Sequence, residues 1–262
     1  MLQSLIHHKL GRAISEGYFN PNEDTLTSSS IGLLQYLKDE EIWKILKDSC
    51  GMISDETFPQ KPGASLSFAF WPSLCSDGKT NDRRVEPDVW IEFEKIHVLI
   101  EAKKSDKPFG YSQYKEQWEK EIRSIKLEIE DNGKPIILIA LGGNGKLSDD
   151  TLCVDGKDYN IYTASWYNFI HSLIELKNHF VSINAPQNEI RVINDCISGL
   201  NIHGYFNSIW LDSILHSRIN KSASEYIKDS FDYADNLPIM NGLDKVICLK
   251  SINFNEIWKI QK

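Results

Sequence analysis

Alternating apolar and polar residues mark two short segments of the chain as neighbouring β-strands. The first covers residues 85–93, V-E-P-D-V-W-I-E-F, where Val89, Ile91 and Phe93 recur at every second position. The second covers residues 96–104, I-H-V-L-I-E-A-K-K, and has the same period of two. Because successive side chains of a strand point to opposite faces of the sheet, each segment presents one continuous apolar face.

The two segments predict a tight antiparallel hairpin. Only the dipeptide at 94–95 separates them, so the simplest connection pairs Phe93 with Ile96. This register keeps the apolar residues of both strands on one face, and on the other face it places Asp88 opposite Glu101, with Cβ atoms roughly 5 Å apart. The turn lacks the Gly or Asn that such hairpins favour, but a slip by one residue would move the apolar set into solvent.

Two carboxylates directly opposite one another need a positive charge between them. A hard divalent cation meets that need for Asp88 and Glu101. Lys103 lies two residues beyond Glu101 on the same face, about 7 Å further along the strand, where its ammonium could orient an attacking water. The alternative is that Asp88 caps a strand while Glu101 pairs with Lys103 or Lys104 on an exposed sheet surface.

The rest of the hydrophobic pattern predicts an α/β fold in which helices pack on a mixed sheet. Helices are predicted at 2–14, from 23 onward, and at 40–46, 111–130, 167–180 and 186–231. Strands are predicted at 66–70, 136–141 and 160–163, with an edge strand at 245–252. We expect residues 1–181 to form the core with its N-terminal helices, and residues 182–262 to form a mainly helical extension packed on it.

Composition and charge narrow the class of protein. A chain of 262 residues with 41% hydrophobic content can bury a sizeable core as one elaborated domain. The formal net charge of −8 argues against a protein that coats DNA nonspecifically. No apolar run approaches membrane-spanning length and the first residues do not resemble a signal peptide, so we expect a soluble, cytoplasmic protein with no membrane partner. The five cysteines are scattered, which favours reduced thiols over a zinc site or a disulfide framework.

The segment G-G-N-G-K at 142–146 follows a predicted strand, but it is not predicted to bind phosphate. Ala140 stands where a P-loop requires its first glycine, and Leu147 stands where a Ser or Thr would hold magnesium. We interpret the segment as a turn.

The spacing of the candidate site residues carries a family resemblance. Pro87-Asp88, then twelve residues, then Glu101-Ala102-Lys103, with a predicted strand at both places, resembles the PD-(D/E)XK superfamily of restriction-endonuclease-like nucleases. The resemblance implies an αβββαβ core with added N- and C-terminal helices. It also implies that Asp88, Glu101 and the backbone carbonyl of Ala102 bind Mg²⁺ or Mn²⁺, and that Lys103 acts on the nucleophilic water.

Many members of this superfamily add a further acid from an upstream helix. The run E-D-T-L-T-S at 23–28 resembles a segment of uncharacterised, defence-associated members, which makes Glu23 the first candidate for this acid. Asp24 and Glu16 are the alternatives. Acids at a helix start also cap the helix and suit its dipole, which is the competing interpretation of Glu23 and Asp24.

Four residues near the strand pair are candidates for contact with nucleic acid. Gln113 and Gln117 share one face of the helix predicted after the second strand. That helix resembles the glutamine-bearing helix of the recombination-exonuclease branch, although Gln117 stands where that branch usually has a tyrosine; an ordinary exposed helix face is the alternative. Lys104 and Arg84 belong to a local basic cluster that could guide a phosphate backbone or simply be a solvated surface. Its other members are Lys79, Arg83, Lys103 and Lys107.

These observations predict a Mg²⁺- or Mn²⁺-dependent phosphodiesterase that acts on nucleic acid, with DNA as the expected substrate. The resemblance implies a role in bacterial defence, with a homodimer or with partner proteins of a defence system. The alternative is a non-catalytic subunit that keeps the nuclease fold and binds nucleic acid or a protein.

Overall fold

A computed structural model of the chain describes residues 3, 9, 14–15, 18–19, 21–51, 58–75, 84–108, 112–129, 133–144 and 146–206. The chain divides into two units, Met1–Asn207 and Ser208–Lys262. The second unit lies outside the described residues, and with it the edge strand predicted at 245–252. The helix predicted from 186 onward begins inside the first unit.

A six-stranded mixed sheet organises the first unit, as expected for an α/β fold. Its strands are β3 (Ser65–Phe70), β4 (Val89–Phe93), β5 (His97–Ala102), β6 (Ile136–Leu141), β7 (Asp149–Val154) and β8 (Lys157–Ala164). They lie in the order β3-β4-β5-β6-β8-β7. The pairs β3/β4, β4/β5 and β7/β8 are antiparallel, while β5/β6 and β6/β8 are parallel. Two short strands, β1 (Ile14–Ser15) and β2 (Tyr18–Phe19), pair with one another separately.

The predicted hairpin register is confirmed between β4 and β5. Val89 pairs with Ile100, and Glu92 pairs with His97. The Phe93 N–H donates to the Ile96 carbonyl at 2.9 Å, which closes the two-residue turn. The turn needs no glycine because neither of its residues, 94 and 95, adopts a positive φ. Their N–H groups donate to the carbonyls of residues 64 and 62 at 2.9 and 3.0 Å.

Helices cover both faces of the central strands. They are α1 (Glu23–Ser29), α2 (Ile31–Leu34), α3 (Asp39–Ser49), α4 (Lys115–Glu128), α5 (Trp166–Ser182) and α6 (Gln187–Ile202). Side chains of α1–α3, α5 and α6 form one core with the face that carries Val89 and Ile100, and α4 packs Trp118 and Ile122 on the other face. Every residue of β5 and β6 is therefore buried, as is typical of parallel strands between two helical layers.

Several predicted elements differ from the observed ones. Strand β7 was not predicted; it lies at the sheet edge and its first three residues are exposed, so no apolar face marks it in the sequence. Strand β8 begins at Lys157 rather than at residue 160, and α4 begins at Lys115 rather than at 111. Ile14 lies in β1 rather than at the end of a helix over 2–14; of the other residues of that predicted helix, only Gln3 and Lys9 are described, and Gln3 is helical.

The helix predicted over 186–231 is wrong in its extent. Helix α6 ends at Ile202, and Gly204 follows with a φ of 88°. Glycine adopts this left-handed conformation without the steric cost that other residues meet, so it commonly ends a helix. Residues 207–231 lie outside the described part of the chain.

The described cysteines are free: Cys50, Cys75, Cys153 and Cys196.

Candidate metal centre

The hairpin register brings Asp88 and Glu101 together at the end of the two strands. Asp88 directly precedes β4, and Glu101 lies on β5 one step beyond the Val89–Ile100 pair. The Asp88 carboxylate is held from both sides: Oδ2 accepts from the Ala102 N–H at 2.8 Å, and Oδ1 accepts from the indole Nε1–H of Trp71 at 3.0 Å. Both acids are buried, so the exposed sheet surface of the alternative is wrong, whereas the pairing of Glu101 with Lys103 that it also expected is present.

Glu23 reaches the same place from the start of α1. Asn22 caps this helix, because its side chain accepts from the Thr25 N–H at 2.9 Å. The cap fixes Glu23 as the first helical residue, and its Oε2 accepts from the Lys104 N–H at 3.1 Å. One carboxylate oxygen from each of Glu23, Asp88 and Glu101 lies within 4.8 Å of the other two.

This arrangement fits a single hard cation. Mg²⁺, Mn²⁺ and Ca²⁺ prefer oxygen ligands. The ligand distance is about 2.0 to 2.1 Å for Mg²⁺ and about 2.3 to 2.6 Å for Ca²⁺, so two oxygens on one ion lie at most about 4 Å apart on Mg²⁺ and about 5 Å apart on Ca²⁺. Among the described acids, the converging group contains Glu23 and not Asp24. Glu16 lies outside the described residues.

The three acids are hard to ionise without a cation beside them. Burial, and then the neighbouring charges of Glu101 and Glu23, raise the pKa of Asp88 well above its usual range. Burial, followed by the charge of Glu121, raises the pKa of Glu101 to about 8. Burial also raises the pKa of Glu23, although Lys103 opposes the shift. A divalent cation would stabilise the ionised form of all three.

Lys103 lies between two of the acids. Its Nζ forms an ion pair with Glu101, lies 3.6 Å from Oε1 of Glu23 and donates to the Ala102 carbonyl at 3.3 Å. Burial alone would lower the pKa of Lys103, but the charges that Glu101, Glu23 and Asp88 carry when ionised outweigh burial and raise it. Lys103 therefore carries a positive charge and acts as a hydrogen-bond donor.

A fourth acid, Glu121, interacts with Glu101 and was not predicted as a site residue. It lies on α4 and is 1% exposed. Its Oε1 accepts from Gln117 Nε2 at 3.0 Å, whereas no donor among the described residues reaches Oε2. Burial raises the pKa of Glu121 to about 7, and its carboxyl group interacts with that of Glu101. Glu121 lies three residues after Trp118, on the apolar stripe of the helix. A charged residue on a buried stripe is the sequence signal that could have identified it.

The glutamines proposed to lie near nucleic acid have protein partners here. Gln113 Nε2 donates to the carbonyls of Glu101 and Gly142 at 3.0 and 3.2 Å, and Oε1 accepts from Trp118 Nε1 at 3.0 Å. Gln117 donates to Glu121. Gln113 thus ties α4 to the end of β5, and its contact with nucleic acid stays a prediction.

The two basic candidates differ in their surroundings. Lys104 is half-buried, and its backbone N–H is the donor to Glu23. Arg84 is exposed and donates to the Ser73 hydroxyl at 3.1 Å. Two other members of the basic cluster, Lys79 and Arg83, lie outside the described residues.

The backbone that carries Lys103 is clamped by neighbouring elements. The Lys103 carbonyl accepts from Trp166 Nε1 at 2.7 Å, and the Lys104 carbonyl accepts from the Tyr205 hydroxyl at 2.8 Å. Gly142 packs closely against the Lys103 backbone. Its φ is 73°, and a Cβ atom at this position would lie 2.6 Å from the Lys103 carbonyl oxygen. This glycine of the G-G-N-G-K segment therefore serves close backbone packing.

Comparison with known proteins adds no assignment. No family model matches the chain, and no curated protein matches it. Within the described ranges, no helix is both long enough and apolar enough to cross a bilayer.

Proposed function

We propose that this protein is a metal-dependent phosphodiesterase that cleaves nucleic acid, with DNA as the expected substrate. The observation that carries the proposal is the convergence of Glu23, Asp88 and Glu101 within 4.8 Å of one another, with Lys103 beside them. Mg²⁺ or Mn²⁺ bound there would supply Lewis-acid stabilisation of the phosphate charge.

The protein's own groups suit the remaining tasks of phosphodiester hydrolysis. Lys103 keeps its proton among the carboxylates, which favours a role as a donor that orients a water or a phosphate oxygen. Asp88 is held by two hydrogen bonds, so its orientation is set before substrate arrives. The hydrogen bond from Trp166 to the Lys103 carbonyl fixes the backbone from which the Lys103 side chain extends.

The order of elements supports the restriction-endonuclease-like assignment. Helix α3 is followed by the antiparallel strands β3, β4 and β5, then by α4 and by β6 parallel to β5. This is the αβββαβ order that the resemblance implies. Under the same proposal the protein acts in the cytoplasm in bacterial defence, as a homodimer or with partner proteins.

Contact with the substrate would depend on local basic groups, since the whole chain carries a net charge of −8. Lys104 and Arg84 are the proposed phosphate contacts among the described residues. Their charge would be felt within about 10 Å at moderate salt, so binding should weaken as salt rises, by an amount set by the number of phosphates contacted.

A cleavage assay tests the proposal. Wild-type protein is incubated with linear, circular and single-stranded DNA and with RNA, in Mg²⁺, in Mn²⁺ or in EDTA. We expect metal-dependent cleavage that falls at least about a hundredfold in Asp88→Asn and Lys103→Ala. Asp149→Asn, at an exposed position of β7, is the matched control and should cleave normally.

Two results would contradict the proposed catalytic activity. Cleavage that persists equally in Asp88→Asn and Lys103→Ala would come from a contaminant or from another site. Binding of nucleic acid without cleavage in either metal would instead support the non-catalytic subunit.

A further inference from the structure

Trp71, the residue directly after β3, has an unusual backbone conformation. Its φ is 46°, in the left-handed region. The other described non-glycine residues with positive φ are Asp155 and Asn184, whose short polar side chains tolerate that region. For a bulky aromatic residue it is a genuine outlier that the surrounding structure must enforce, and such outliers cluster at functional sites.

The surrounding structure ties Trp71 to Asp88 twice. The Trp71 N–H donates to the Asp88 carbonyl at 3.0 Å, which extends the β3–β4 ladder one step beyond the Phe70–Val89 pair. The indole Nε1–H then donates to Oδ1 of the same residue at 3.0 Å. Trp71 is 6% exposed and Asp88 is 8% exposed, so water competes little for this hydrogen bond.

The indole N–H and a backbone N–H each donate to one oxygen of the Asp88 carboxylate. Oδ2 of Asp88 accepts from the Ala102 N–H on β5, and Oδ1 accepts from Trp71 next to β3. Each carboxylate oxygen has two acceptor positions, so both oxygens keep one for a cation. Two donors from opposite sides fix the plane of the carboxylate and favour its ionised form, which burial disfavours.

We propose that Trp71 is a positioning residue that orients Asp88 for metal binding. This inference rests on the proposed metal-dependent function. Outer hydrogen-bond partners of metal ligands commonly set ligand orientation and metal affinity. The left-handed backbone of Trp71 turns its indole N–H toward the acid, and the strain is the cost of that orientation.

The chain offers a matched control in Trp43. It is 5% exposed, and its Nε1–H donates to the Pro59 carbonyl at 2.8 Å. Replacing either tryptophan by phenylalanine keeps an aromatic ring and removes one buried indole hydrogen bond. Only the Trp71 bond reaches an acid of the candidate site.

The test measures Mn²⁺ affinity by electron paramagnetic resonance, with circular dichroism to confirm folding. We expect Trp71→Phe to bind Mn²⁺ about 10- to 100-fold more weakly than wild type, and Trp43→Phe to stay within about twofold. In an Asp88→Asn background, adding Trp71→Phe should change the affinity no further, because the group it positions is already altered. Equal affinities of Trp71→Phe and Trp43→Phe would overturn the inference.

A second measurement needs no variant. The chain has seven tryptophans, and the indole N–H resonance of Trp71 can be assigned through its proximity to Asp88. On saturation with diamagnetic Mg²⁺ this resonance should shift while that of Trp43 stays in place. Mn²⁺ binding by wild type without such a shift would overturn the role of Trp71 alone, whereas no Mn²⁺ binding by wild type would overturn the proposed function with it.

Discussion

Glu121 makes the stability of the metal-free protein depend on pH in an unusual direction. Its folded pKa of about 7 lies above the ordinary 4.5 because the side chain is buried. Between these two values the folded state keeps a proton that the unfolded state has lost. The contribution of Glu121 to the free energy of unfolding therefore decreases as pH rises from about 5 to 8, whereas carboxylates with lowered pKa values give the opposite slope.

The size of the effect follows from the shift. A difference of about 2.5 pKa units at 1.36 kcal/mol per unit corresponds to about 3 kcal/mol. Most of it, about 2 to 3 kcal/mol, should be lost between pH 5 and pH 8. Glu101, with a pKa of about 8, changes stability in the same direction.

Urea unfolding in EDTA across this pH range measures the effect, and Glu121→Gln isolates it. Gln keeps the shape of the side chain but carries no titratable proton, so the variant should match wild type near pH 5 and exceed its stability by about 2 to 3 kcal/mol at pH 8. Glu116→Gln, at an exposed position of the same helix, should give a curve parallel to wild type. Parallel curves for wild type and Glu121→Gln would refute the buried-proton explanation.

Two further predictions concern the ligands and the backbone that supports Lys103. Glu23→Gln should weaken Mn²⁺ binding at least about tenfold in a calorimetric titration, while Asp24→Asn should change it by less than about threefold; the reverse order would make Asp24 the ligand. Gly142→Ala and Gly133→Ala both place alanine at a φ of 73–79°, but only residue 142 meets another backbone. Gly142→Ala should therefore lose at least about 1 kcal/mol more in thermal unfolding, and equal losses would exclude the close packing against Lys103.

The hairpin could be predicted because its information is local. Two apolar faces joined by two residues leave one register that keeps both faces in the core, and that register alone put Asp88 opposite Glu101. Strand β6 was equally clear, since six consecutive apolar residues need burial on both faces.

The partners of these two acids were not predictable in the same way. Trp71 meets Asp88 through the β3–β4 pairing, and the connection between those strands is too long for its sequence to set a register. Glu121 meets Glu101 only because α4 packs with that side toward β5, which depends on the tertiary packing of the helix. A polar residue on an apolar stripe was a signal, but it pointed to no particular partner.

Glu23 was the first of three candidate acids, and only the fold brings it near the others. The hydrogen bond from the Lys104 N–H to Glu23 holds this acid near the end of β5. It joins segments that are far apart in the chain.

Strand β7 was missed for a different reason, because an exposed edge strand has no buried face to mark it.

The central claim is that Glu23, Asp88 and Glu101 hold one divalent cation. Anomalous diffraction from a crystal of the protein soaked in Mn²⁺ tests it most directly. We predict one strong anomalous peak within about 2.6 Å of a carboxylate oxygen of each of the three residues, and no such peak in Asp88→Asn. A wild-type crystal with no peak at this position, or with its Mn²⁺ bound by other residues, would contradict the claim.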